Sequence, residues 1–196
     1  MKEIKNLMQD RTIQYYKDNA GNYVKQTVNA DMGGTYVDFL AYIPQGGRIL
    51  DVGFGSGRDL AYFSKQGYLA HGIDLVEEFV LRARKEGLSA KLGNFHDLPF
   101  KEEFDGIWAC ASLLHSDNLP LAFENLSRAL KVGGVFYLSM KYGKGKGMDG
   151  ERFYQYVDEE MLISLAKNFG LTVEKITKTE DTLGRSQVWL NVILHK

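Results

Sequence analysis

Apolar and polar positions change rhythm at Arg48. Upstream, Ile4, Leu7, Met8, Tyr15 and Tyr16 recur at the spacing of a helix face, and Asp31 is placed to cap a second helix carrying Tyr36, Val37, Phe39 and Leu40. Pro44 and the Gly46-Gly47 pair close that region. Downstream, short apolar runs at 48–52, 69–73, 90–92, 104–109, 135–141, 171–178 and 188–194 predict strands. Amphipathic stretches at 58–66, 76–85, 119–130 and 158–168 predict helices between them. Strands alternating with helices of this length build right-handed βαβ units. The expected fold class is therefore α/β: a doubly wound, mostly parallel sheet with helices on both faces and an N-terminal helical lid. Residues 181–186 leave no room for a crossover helix, so the last two strands should pair as an antiparallel hairpin at one edge. The basic, glycine-rich run 141–150 reads as a loop. We expect one structural domain, with a lid over 1–45 and a core over 46–196.

Composition narrows the function classes. A chain of 196 residues suits one domain with a full core, and 44% apolar residues exclude disorder as its main state. A net charge of −1 argues against binding a DNA duplex, which needs a marked basic excess. The single cysteine, Cys110, cannot form an intrachain disulfide, and no CxxC pair exists to build a zinc cage, so no metal is expected. The polar N-terminus and the lack of any run near ~18 apolar residues imply a soluble, cytoplasmic protein with no membrane partner. The 21 glycines exceed the ~7% norm, which makes their placement informative.

Three of them alternate after the first core strand, in Asp51-Val52-Gly53-Phe54-Gly55-Ser56-Gly57-Arg58. A buried strand that runs through such a loop into a helix lets the backbone approach a ligand where side chains would collide. Arg58 stands where a dinucleotide fingerprint has its third small residue, and the Walker pattern is missing, so the spacing disfavours a pyrophosphate guest. Asp74 ends the next strand, where a carboxylate can accept hydrogen bonds from both hydroxyls of a ribose. It is equally placed to cap the following helix.

Asp51 to Gly57, followed by Asp74, resembles the cofactor site of class I S-adenosylmethionine-dependent methyltransferases, and the likeness runs from about residue 12 to the end of the chain. Asn94-Phe95 match the place that holds the adenine edge in that family. The stretch 104–110 is similar to its fourth strand, and Leu130-Lys131-Val132-Gly133-Gly134 to the turn before its fifth, with Val132 where proline is usual. Tyr16-x-x-x-Ala20-x-x-Tyr23 resembles the opening helix of small bacterial members, whose aromatic residues cover the cofactor. The resemblance implies a strand order of 3-2-1-4-5-7-6 with the seventh strand antiparallel. S-adenosyl-L-methionine is the implied cofactor, with S-adenosyl-L-homocysteine as product. Its implied contacts are Tyr16, Tyr23, Asp51, Gly53, Gly55, Gly57, Arg58, Asp74, Leu75, Asn94, Phe95 and Ala109.

Methyl transfer is an in-line displacement at an activated carbon, so positioning supplies much of the catalysis. Where the acceptor must lose a proton, His115 and Tyr142, beyond the fourth and fifth strands, are the candidate bases. Lys141 and Arg185 are candidate substrate contacts, and Lys141, Lys144 and Lys146 suggest a mobile rim over an anionic substrate. A solvated loop is the competing reading. Cys110 ends an apolar strand and reads as a small buried residue, which disfavours cytosine methylation through a thiolate. The expected activity is methyl transfer to a small molecule. The alternatives are a protein or RNA methyltransferase and a cofactor-binding regulatory module without turnover.

Overall fold

The computed structural model describes residues 2–181 and 184–196; the side chains of Ile4, Leu7 and Met8, and the hairpin turn at Thr182 and Leu183, lie outside the described residues. The chain opens with one long helix, α1 (Lys2–Thr27), and a short one, α2 (Gly33–Leu40). Asp31 assists the second start through Oδ1, which accepts from the Gly33 N–H at 2.8 Å. The alternating core follows: β1 (Arg48–Val52), α3 (Arg58–Lys65), β2 (Leu69–Asp74), α4 (Glu77–Lys85), β3 (Ala90–Leu92) and β4 (Phe104–Cys110). After a single 3-10 turn at Leu113–His115 come α5 (Leu119–Ala129), β5 (Leu130–Lys141), β6 (Lys146–Asp149), β7 (Arg152–Gln155), α6 (Glu159–Asn168), β8 (Thr172–Glu180) and β9 (Val188–His195).

Seven strands form one sheet in the order β3-β2-β1-β4-β5-β9-β8, with β9 antiparallel to both neighbours. This is the expected order, because β6 and β7 stand outside the sheet and shift the numbering of its last two strands. They pair with each other as a separate hairpin, β6 within the stretch 141–150 that the sequence suggests to be a loop and β7 just beyond it. Around Gly133-Gly134, where a turn is expected, β5 instead continues and bulges: the register steps from Phe104↔Leu130 to Gly106↔Val135, with Gly133 at φ 78°.

The period of two explains why the strands read as unbroken apolar runs. Ile49 and Trp108 face one side of the sheet and Leu50 and Ile107 the other, and all four are fully buried. α2 and the turn after it lie close on the first side because Gly106 offers no side chain; a Cβ there would stand 2.8 Å from Phe39 and 2.3 Å from Ile43. Among the described residues, no helix is long and apolar enough to cross a membrane.

Candidate active site

Ligands of doubly wound sheets bind beyond the carboxyl ends of the strands where the strand order reverses, here between β1 and β4. Gly53, Gly55 and Gly57 follow β1, all in the left-handed region at φ 67°, 52° and 79°. A Cβ on Gly53 would meet Ser112 at 2.6 Å, and one on Gly55 would meet the Tyr23 ring at 2.9 Å. Conformation and space both demand glycine at these two positions. Asp74 ties the loop to β2: its Oδ2 accepts from the Gly55 N–H at 2.9 Å and its Oδ1 from the Val76 N–H at 2.9 Å. Burial raises its pKa to about 6 against the pull of those backbone donors. Asp51, at the end of β1, is buried with Oδ2 lacking any hydrogen-bond partner. Burial, reinforced by the nearby Asp59 charge, raises its pKa well above its ordinary value, a shift that a bound cation would oppose.

Two cavities open over these strand ends. The first is bordered by Asp74, Leu75, Val76, Phe79, Gly93, Phe95 and Ser112. The second runs from Phe54, Ser56 and Arg58 past Cys110 to Lys141, Arg152, Tyr154 and Arg185. Tyr16, Tyr23, Gly53, Ala111 and His115 line both and so form the wall where they meet. Ala111 holds φ 52°, a conformation that costs a non-glycine residue about 1–2 kcal/mol, and its N–H is fixed by Ser139 Oγ at 2.9 Å.

His115 is oriented on both sides. Its Nδ1 lies 2.7 Å from the Phe153 carbonyl oxygen, which can only accept, so Nδ1 carries the proton. Nε2 then accepts from the Tyr16 hydroxyl at 2.8 Å. Burial lowers the His115 pKa to about 4, with Arg152 and Lys141 adding to the fall. The imidazole is neutral at physiological pH and has one lone pair facing the wall between the cavities.

Asp59 organises the opposite side. It accepts from Tyr36, from Trp108 Nε1 at 2.9 Å and from Arg58 through Nε at 2.6 Å and Nη2 at 2.9 Å. Burial works against the Arg58 charge, but the Asp59 hydrogen bonds more than offset it and the guanidinium pKa rises. Arg58 also reaches the Thr27 carbonyl at 3.4 Å and Cys110 Sγ at 3.7 Å, joining α1, α3 and β4. Cys110, its thiol pushed up to about 12 by burial, is correspondingly unreactive.

The structure gathers Tyr16, Tyr23, Gly53, Arg58, Asp74, Leu75, Phe95, His115, Lys141 and Arg185 at the two cavities. Gly55 and Gly57 sit in the adjoining loop. Five expectations are not met at the cavity walls, the first being Asp51, which is buried at the end of β1 and lines neither cavity. Ala109 is fully buried in the core within β4, whereas Cys110 at the strand end borders the second cavity and Ala111, just past it, borders both. Asn94, half-buried, closes a local turn, its Oδ1 accepting from the His96 N–H at 2.9 Å, and lines neither cavity. Tyr142 also lines neither; its ring lies under Lys178 Nζ at 3.8 Å. Lys144 pairs with Asp158 at 3.2 Å and Lys146 is exposed, so of the three rim lysines only Lys141 enters the second cavity. Asp59, Ala111, Ser112 and Tyr154 were not legible as site residues. Asp59 directly follows the glycine loop, which was its one signal.

Residues 50–138 match the family described as a methyltransferase domain. An uncharacterized protein of Methanocaldococcus jannaschii is 30% identical over 151 residues, 70% of each chain. A sarcosine/dimethylglycine N-methyltransferase of Aphanothece halophytica is 35% identical over 107 residues, 47% of this chain and 37% of that one. This chain thus spans little more than a third of that relative's length. Among solved structures, a 1,6-didemethyltoxoflavin-N1-methyltransferase of Burkholderia thailandensis, with 1,6-didemethyltoxoflavin and S-adenosylhomocysteine bound, shares the fold at a TM-score of 0.80. It is 24% identical, and the match covers 99% of this chain and 89% of that one.

Proposed function

This chain belongs to the class I S-adenosylmethionine-dependent methyltransferases, and we propose that it transfers a methyl group from that cofactor to a small-molecule acceptor. The observation that carries the reading is the meeting of two cavities at Tyr16, Tyr23 and His115, one ending on Asp74 and the other opening towards Lys141. When bound, S-adenosylmethionine supplies a sulfonium methyl already activated for displacement. The protein's task is then alignment, which can contribute ~7–11 kcal/mol.

The donor set fits that group. Asp74 accepts backbone N–H groups at both oxygens, Oδ2 from Gly55 and Oδ1 from Val76, and its remaining lone pairs suit ribose hydroxyls. The orphaned Asp51 Oδ2 suits the ammonium of the methionine portion, and the unpartnered Ser112 Oγ offers a further polar contact. Leu75 and Phe95 wall the nucleoside, and Asn94 holds the turn that presents Phe95. Tyr23 covers Gly55, and residues 1–45 act as a lid over the 46–196 core.

His115 is the base of this proposal. The acceptor's proton passes to the Tyr16 oxygen as the Tyr16 proton moves to His115 Nε2, so the positive charge that leaves the sulfonium reappears on the imidazole. A small acceptor is favoured because α1 and the β6–β7 hairpin roof the cavities, joined where the Phe153 N–H donates to Thr12 Oγ1 at 2.8 Å. The structural relative with a small heterocycle in its site supports the same choice.

The test supplies purified protein with S-adenosylmethionine and a fractionated metabolite extract, and follows S-adenosylhomocysteine release. A small-molecule fraction should support turnover, and His115→Gln should lower the rate by about 10²–10⁴-fold, the usual worth of general base catalysis. Tight cofactor binding without turnover on any small-molecule fraction would overturn the proposal.

A further inference from the structure

The cations around the second cavity are not equivalent. Arg58 is held by Asp59, and Arg185 grips Asp181 through Nε at 3.0 Å and Nη2 at 2.7 Å. Lys141, from the end of β5, and Arg152, from the start of β7, line the same cavity but have no carboxylate at ion-pair distance among the described residues. Both rest on the buried Tyr154 ring, Lys141 Nζ at 3.6 Å and the Arg152 guanidinium at 5.3 Å from its centre. Arg152 is also 4.7 Å from the Tyr15 ring.

Two half-buried cations sharing one aromatic floor repel each other, and aromatic faces compensate only part of the lost hydration. Burial pushes the Lys141 pKa below its ordinary value; Asp149 and Asp181 pull it back in part, while Arg152 and Arg185 lower it further. Nearby carboxylates relieve this only in part: Asp149, opposite Arg152 in the hairpin, is solvent-exposed and makes no ion pair with either cation among the described residues. Asp59 and Asp181 are engaged by Arg58 and Arg185, while Asp31 and Glu180 stand exposed. A compact oxyanion would bridge the two charges with charge-assisted hydrogen bonds, the guanidinium offering a planar fork and the ammonium a point charge.

We infer that Lys141 and Arg152 form an oxyanion subsite, floored by Tyr154, that anchors a carboxylate or phosphate group of the acceptor. The inference rests on the small-molecule reading above and narrows it to an anionic acceptor. The His115 ring lies 5.0 Å from that of Tyr154, so an anchored acceptor places its nucleophile beside Tyr16 and His115. Charge couples the two places as well. Tyr16 of α1, Lys141 of β5 and Arg152 and Tyr154 of β7 surround His115, and the two cations among them hold its pKa down. An anion between those cations would strengthen the base at the moment the acceptor is in place.

The experiment titrates ¹⁵N-labelled protein with sodium acetate and, separately, inorganic phosphate at ionic strength fixed with sodium chloride. It follows the Arg152 Nε–H and the His115 ring by NMR. Saturable shifts with either anion, a His115 pKa that rises in its presence, and at least tenfold weaker binding in Lys141→Met and Arg152→Gln are expected; the better anion identifies the group. Lys141→Arg should restore most of the binding. Shifts that grow linearly with both anions, or that are equal in parent and variants, would overturn the subsite. Calorimetry with S-adenosylhomocysteine on the same samples reports folding and tests the parent reading separately, since the anion titration needs no cofactor.

Discussion

Asp59 links four groups at the centre of the molecule: Tyr36, Trp108, and two nitrogens of Arg58. Asp59→Ala would leave a buried guanidinium unpaired and an indole N–H unsatisfied. Breaking such a buried pair costs about 3–5 kcal/mol, which chemical denaturation should register. Asp74 makes a different prediction. Ribose hydroxyls donate to its ionised form, so S-adenosylhomocysteine affinity should rise about tenfold per pH unit below about 6 and level off above it. The same raised pKa acts on the free protein: its contribution to stability is fully present below the unfolded value of 3.8 and lost as pH climbs through about 6. Calorimetry across pH 5–7 checks the affinity, and Asp74→Asn should abolish the dependence. The roles proposed for Asp51, Asp74 and the three glycines follow from local pattern, because spacing along a strand and its following turn survives in three dimensions. Ala109 lines neither cavity because it lies inside β4, and where a strand ends is less sharply written in the sequence than where it runs.

Among the elements, α1 and the β6–β7 hairpin do most to enclose the cavities. Their link is local: Thr12 Oγ1 accepts the buried Phe153 N–H, and the next carbonyl in that strand, on Phe153 itself, fixes His115. Thr12→Val would strand that donor, at about 1–3 kcal/mol. The loss should appear as faster amide exchange in α1 and β7 with little change in β1 and β4. The helices and sheet strands were legible from periodicity, and the terminal hairpin from its short connection. The β6–β7 hairpin was not. Its four-residue strands are too short for alternation to emerge against a glycine-rich background, and their partners are each other rather than the sheet.

At the scale of the whole molecule, cofactor binding should tie α1 to the strand ends. S-adenosylhomocysteine at a hundredfold excess over Kd should add about 2.7 kcal/mol to stability and raise Tm by several degrees. Thermal unfolding with and without it gives the measurement, and Asp74→Ala should erase most of the gain. The mostly parallel sheet and its antiparallel edge hairpin were written into the alternation of apolar runs and the short last connection, because right-handed crossovers leave few topologies for such a chain, while the strand order came from the family resemblance. The glycine loop and Asp74, nineteen residues beyond Gly55 and bonded to it, carried the family likeness in the same way. What the sequence by itself determined was thus the mostly parallel sheet, its helices, and the glycine loop with its acidic partner to which the cofactor side is assigned in the proposal, all set by residues close along the chain. The tertiary structure alone decided the acceptor side. Tyr16 and His115 are separated by 99 positions, and Lys141 and Arg152 converge on Tyr154 only when β5 and the inserted hairpin are folded together. Contacts between distant segments depend on packing that no local spacing encodes.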